Sequence, residues 1–285
     1  MGDRLVSLAA GTILDVGPAE AVTVASTAGW PAVGLWFDPA TWTDATTRDV
    51  HQRLRDTGLV ALDVEPIILG RGGDRGGGDR GGGDRGGGDR GGGDRGDGGE
   101  RLLDAAAELG VPFVLMASGG ADDDRVMARL TQLCEYASVN APGVRIALEF
   151  LPIFSVASLT QALAIVRSTN RSEAAVLVDT LHLARSGGVP DDLIGLDAAL
   201  LPYLQLADAS AVVPADIAAL RDEALDGRVL PGEGVLPLRQ VLANVPGVPI
   251  SVELRSRSLR DRYTDPVERA RVVLDATRRV IAAVE

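Results

Sequence analysis

Arg145-Ile146-Ala147-Leu148-Glu149-Phe150 and Ala175-Val176-Leu177-Val178-Asp179, separated by the amphipathic stretch Ser155–Ser168, form the repeat whose reading decides the fold. Both flanking runs are short and continuously apolar, which suits strands buried on two faces. A strand, a helix and a second strand imply parallel pairing through a crossover. The alternation recurs on either side of this unit. Further apolar runs occur at Leu5–Ala9, Ala32–Phe37, Leu59–Val64, Phe113–Ala117, Tyr203–Leu206 and Ile250–Leu254. Stretches of helical period lie at Ala19–Ala28, Thr46–Thr57, Arg101–Leu109, Asp124–Ser138 and Pro266–Val284. Ser155, and Asp265 followed by Pro266, read as helix starts. Eight such units close naturally into an α/β fold, a single (β/α)8 TIM barrel over residues 1–285. An open doubly wound sheet is the competitor, but Gly11-Thr12-Ile13-Leu14 lacks the glycine spacing of a phosphate loop after a first strand.

One segment breaks the alternation. From Gly70 to Gly99 the unit Gly-Gly-Gly-Asp-Arg recurs, with Asp-Arg pairs at Asp74, Asp79, Asp84, Asp89 and Asp94. It has no apolar side chain with which to build a core, so it reads as a flexible, disordered insert after the third strand. Each arginine there is neutralised by a neighbouring aspartate, which argues against a nucleic-acid contact.

Of 285 residues, 46% are hydrophobic and 24% charged, enough to bury a sizeable core. Aromatics make up 4%, so alanine, valine and leucine must fill it. A net charge of −12 opposes binding to nucleic acid or an anionic membrane. The start of the chain lacks the pattern of a secretory leader, and no apolar run reaches the length of a membrane span, so a cytoplasmic location is expected. Cys134, the one cysteine, has no disulfide partner and reads as a small buried apolar residue.

Four strand-like runs end on an oxygen donor: Glu149, Asp179, Gln205 and Glu253. In a parallel barrel the C-terminal strand ends share one rim, so these side chains can meet around one axis. Three carboxylates and an amide suit a hard divalent cation such as Mn2+ or Mg2+, or Co2+, better than a thiolate-bound zinc. A single acid ending a strand is more often a helix cap. Four in the same relative place are not explained by capping.

The segments Ala147-Leu148-Glu149-Phe150, Val178-Asp179-Thr180-Leu181-His182, Leu204-Gln205-Leu206-Ala207-Asp208 and Ser251-Val252-Glu253-Leu254-Arg255 resemble those of the xylose isomerase-like barrels, the sugar phosphate isomerases and epimerases. The resemblance spans nearly the whole chain outside the insert, and Asp-Thr-x-His is its most specific part. It implies a metal held by Glu149, Asp179, Gln205 and Glu253, with His182 touching substrate. Epimerases of this family usually carry histidine where this chain has Gln205. Inosose and dehydroshikimate dehydratases are similar to this chain in using glutamine, which tilts the expected reaction toward elimination.

His182 is placed where a strand gives way to a loop, and its imidazole can bond a hydroxyl or move a proton near neutral pH. His51, in the stretch Thr46–Thr57, reads as a surface residue. Gly227-Arg228-Val229-Leu230-Pro231-Gly232-Glu233-Gly234 resembles the family's Pro-Gly-Glu-Gly turn, and puts Arg228 in the pocket wall. Arg255, two residues past Glu253, can meet a substrate oxygen or a ligand carboxylate. Trp36 and Phe37 can cap the pocket's apolar side.

A cation chelating a carbonyl and an adjacent hydroxyl acidifies the neighbouring C–H, and proton removal leads to a metal-held enediolate. Loss of a β-hydroxyl then gives dehydration, whereas reprotonation gives epimerisation or isomerisation. Glu149 and Glu253 would be the proton shuttles of an epimerase. In a dehydratase one base and a separate acid suffice, with His182 a candidate for either. The expected partner is a small keto-polyol or cyclitol, and barrels of this kind often form homodimers. Two other classes compete. An abasic-DNA endonuclease of related fold needs a multi-zinc histidine cluster, and this chain has two histidines. A non-catalytic binding barrel would keep the shape without the metal.

Overall fold

The computed structural model describes residues 4–70 and 98–284. Eight parallel strands run in sequence order around a closed barrel: β1 (Val6–Leu8), β2 (Ala32–Trp36), β3 (Val60–Ile68), β4 (Phe113–Ala117), β5 (Arg145–Glu149), β6 (Ala174–Asp179), β7 (Leu204–Leu206) and β8 (Ile250–Val252). The ring closes where Val6, Ser7 and Leu8 pair with Ile250, Ser251 and Val252. Ten α-helices accompany the strands: α1 (Pro18–Ala28), α2 (Asp44–Thr57), α3 (Gly99–Leu109), α4 (Asp123–Asn140), α5 (Leu159–Thr169), α6 (Thr180–Arg185), α7 (Ile217–Asp226), α8 (Leu238–Asn244), α9 (Arg257–Arg262) and α10 (Pro266–Ala282). Residues 71–97, which hold nearly all of the Gly-Asp-Arg repeat, lie outside the described residues.

Side chains of the strands divide between two clusters. On β5 and β6, Ile146, Leu148, Val176 and Val178 join the large cluster shared with the helices. Ala147, Ala175 and Leu177 join the inner cluster with Ala32, Leu62, Leu115, Ala117 and Tyr203. Successive strand residues face opposite sides, so both faces are buried and the apolar runs are continuous. The bore admits mostly small groups. Its bulkiest fill is a stacked pair, Phe113 and Tyr203, with ring centroids 5.2 Å apart.

The structure moves several boundaries. Helix α5 begins at Leu159 with Ser158 as its cap, not at Ser155. Ser155 and Val156 are drawn instead to the loop after β4, where the Ser155 hydroxyl donates to the Ala121 carbonyl and the Val156 N–H donates to Ser118 Oγ at 3.0 Å. Asp265 caps α10 with Pro266 in its first turn, as read from sequence. Strand β3 runs on to Ile68, past the expected end at Val64. His182 sits in a helix, α6, and not in a loop, because the Asp179 carboxylate caps that helix by accepting from the backbone N–H groups of Leu181 and His182. Helices α7, α8 and α9 fall in stretches without a strong apolar period. His51 is partly covered on α2, and Cys134 is buried on α4, where burial pushes its thiol up to about 12.

Candidate metal centre

The last four strands bring Glu149, Asp179, Gln205 and Glu253 to one rim. Asp179 pairs in register with Gln205, and Gln205 with Ser251, two residues before Glu253. All four are buried, as are His182 and Arg228. One ligand atom from each of Glu149, Asp179 and His182 lies within 4.8 Å of the others, a spacing that could hold a metal ion. His182 Nε2 is 3.7 Å from Glu149 Oε1.

Arg228 is the residue whose role differs most from its sequence reading. It does not stand free in a loop wall. Its Nη1 donates to Asp179 Oδ2 at 2.6 Å and to the Glu253 backbone carbonyl at 3.0 Å, and it lies 2.9 Å from Glu253 Oε2. The backbone delivers it there. The Arg228 N–H donates to the Arg255 carbonyl and the Val229 N–H to the Asp208 carbonyl, so the segment is laced between the extensions of β7 and β8. Asp208 then pins the following turn: its two carboxylate oxygens accept from the N–H groups of Gly232, Gly234, Leu236 and Ala209 at 2.9–3.0 Å. A Cβ on Gly234 would lie 2.3 Å from Asp208 Oδ1, so the turn requires glycine there. Gly11 serves Glu253 in the same way, since a Cβ on it would lie 2.2 Å from Glu253 Oε1.

These contacts set the protonation states. Burial, reinforced by the charges of Glu253 and Asp179, pushes the Glu149 carboxyl well above the usual carboxylate range. Burial would also raise Asp179, but the Arg228 charge, with His182 and its hydrogen bonds, holds it below its ordinary value. Burial drives the His182 imidazole down to about 4, so the ring is neutral near pH 7. Asp179 is thus held charged by Arg228, while burial favours the neutral form of Glu149, which a bound cation would have to displace.

Gln205, on the same rim, carries an oxygen that has no partner. Its Nε2 donates to Glu65 Oε2 at 3.1 Å, while its buried Oε1 bonds to nothing among the described residues. An orphaned buried carbonyl among carboxylates fits an oxygen-preferring cation. Glu65 and Asp63, both buried on β3, escaped the sequence reading. Their signal was the alternation Asp63-Val64-Glu65 within an apolar strand, which puts both acids on the inner face. Burial raises both, Asp63 to about 7. Arg255 and Trp36 flank this cluster, and the Arg255 charge acts to lower both Glu149 and Glu65. Arg255 is held over the Trp36 ring, 5.8 Å from its centroid. Trp36 also lines a cavity of about 490 Å³ with Ile13, Leu14, Pro18 and Trp42, and none of the four rim residues lines it.

A sequence profile described as xylose isomerase-like TIM barrel matches residues 22–280. The chain belongs to that family. The family's barrel aligns over nearly the full length with solved structures of low identity. The zinc-bound IOLI protein is 18% identical with a TM-score of 0.76, covering 98% of this chain and 99% of that one. The probable 3-DHS dehydratase AsbF from Bacillus anthracis is 15% identical with a TM-score of 0.67, over 94% and 98%. A xylose isomerase-like TIM barrel/4-hydroxyphenylpyruvate dioxygenase fusion protein is 21% identical with a TM-score of 0.75; the match takes in 96% of this chain and 42% of the fusion. No curated protein matches the sequence. Among the described residues no helix is long and apolar enough to cross a membrane.

Proposed function

We propose that this family member is a divalent-cation-dependent enzyme that removes a proton beside the carbonyl of a small keto-polyol or cyclitol, with dehydration favoured over epimerisation. The reading rests on one observation: Glu149, Asp179 and His182 present ligand atoms within 4.8 Å of one another on the rim that also carries Glu253 and the unpartnered carbonyl oxygen of Gln205. Glu149, Asp179, Gln205 and Glu253 would hold Mn2+ or Mg2+, with His182 close enough to Glu149 to share the site. When bound, the cation would draw electron density from the substrate carbonyl and make the neighbouring C–H acidic.

The chain's own residues divide the remaining work unequally. Asp179 is fixed by Arg228 and by the start of α6, and Glu253 by Arg228, while no hydrogen bond holds the Glu149 carboxylate among the described residues. Glu149 is therefore the base, and the carboxylic acid it becomes can return that proton to the departing hydroxyl, which leaves as water, with the neutral His182 imidazole beside it as a hydrogen-bonding partner. One carboxyl that takes a proton and returns it on the same side suits elimination. Epimerisation needs a second base on the opposite face, and Glu253, its candidate, is tied to a guanidinium. The glutamine at 205, in a place where the epimerases that the chain resembles carry histidine, supports the same reading.

The test is to load metal-stripped protein with Mn2+, Mg2+ or Co2+ and follow ketoses, inososes and dehydroshikimate in D2O by NMR. Water loss from a ketose ring or a cyclitol, reduced at least about 100-fold in Glu149→Gln, is expected. Deuterium uptake with inverted configuration and no water loss would establish the epimerase alternative. Stoichiometric metal with no exchange on any substrate would leave a binding barrel.

A further inference from the structure

We infer that Glu65 on β3 is a positioning residue that turns the Gln205 amide so that its carbonyl oxygen, and not its NH2 group, faces the cation. The inference rests on the metal reading above and adds a residue outside the rim set. An amide side chain has two ends of nearly equal shape and opposite chemistry. Only the carbonyl end can ligate a hard cation, and the NH2 end is a double donor that a cation repels. Packing alone cannot choose between them, so a chain that uses glutamine as a ligand needs a polar group to do so.

Glu65 supplies it. Its Oε2 accepts from Gln205 Nε2 at 3.1 Å, which leaves Oε1 as the one end of the amide without a partner. Reversing the amide would press two acceptor oxygens together there and turn the NH2 toward the cation. Strands β3 and β7 stand four apart in a ring of eight, on opposite sides, so the bond crosses the bore. Small inner residues, among them Ala32, Ala117 and Ala147, leave the room for it.

The test measures Mn2+ affinity by calorimetry, with folding checked by circular dichroism. Glu65→Met, which keeps length but removes the acceptor, is expected to weaken binding about 10–100-fold. Glu65→Gln, whose amide offers a donor as well as an acceptor and so permits both orientations of Gln205, should weaken binding less than Glu65→Met. In a Gln205→Glu background both ends of the side chain are oxygens and there is no orientation to select, so Glu65→Met should cost nothing. Unchanged affinity in Glu65→Met, or an equal loss in both backgrounds, overturns the inference and leaves the metal site standing. Absence of Mn2+ binding to the wild type defeats both. Independently of any variant folding, a high-resolution structure of the Mn2+-loaded wild type should show Gln205 Nε2 on Glu65. An amide turned away from Glu65 there would also overturn it.

Discussion

Arg228 is the residue on which the rim depends. It is a buried cation serving two carboxylates, and removing one partner from such a set leaves uncompensated charge in a low dielectric. Arg228→Met should therefore lower unfolding free energy by about 3–5 kcal/mol in urea titrations without metal. Added Mn2+ should restore part of that loss, because ligand binding to the native state stabilises it. His182 carries a second expectation. Its folded pKa is about 4 against an ordinary 6.5, so between those values the unfolded chain binds the proton and the native chain does not. The stability is complete above pH 6.5, falls as pH drops toward 4, and reaches a loss of about 3 kcal/mol. Wild type should take up about one more proton on unfolding near pH 5 than His182→Asn. A matching pH slope in the two proteins would contradict this. The rim residues themselves were legible, because each ends an apolar run at a strand tip. Arg228 was visible only as a neighbour of a turn motif, since nothing in its local sequence reveals which distant carboxylates it will meet.

At the scale of elements, the extended link between β7 and α8 is organised around one carboxylate. Asp208 collects four backbone N–H groups, three of them from the turn at residues 232–236. Asp208→Ala should cost the hydrogen bonds of a charged acceptor, each about 1.5–3 kcal/mol, and leave that turn open. Hydrogen exchange at Gly232, Gly234 and Leu236 should quicken by at least about tenfold, while the amides of β5 and β6 keep their protection. Gly234→Ala should reproduce the effect by displacing the carboxylate. Strand positions were readable because burial on both faces writes continuous apolar runs. Helices α6 and α9 were not: each spans six residues, and each is fixed by a cap, Asp179 or Ser256, and by contacts from distant segments. The expected start of α5 failed for the same reason, because Ser118 and Ala121 compete for Ser155 and Val156.

For the whole molecule, closure is the cooperative event, and Thr12 guards it. Its hydroxyl donates to the Val252 carbonyl at 2.8 Å and accepts from the Leu254 N–H at 2.8 Å, clamping the first turn of the chain to the end of the last strand. Thr12→Val keeps the shape and strands two buried backbone groups, so it should cost about 2–4 kcal/mol in equilibrium unfolding. A loss well under 1 kcal/mol would show that β1 and β8 hold together without it. The barrel itself was foreseeable from eight alternating units, but this clasp joins residues 240 positions apart and leaves no trace in local sequence. The ring it completes has a consequence for encounters with other proteins. Among the described residues every strand already has two neighbours, so none of these strands presents an open edge to recruit a foreign strand by backbone pairing. Whatever docks on this barrel must read its side chains.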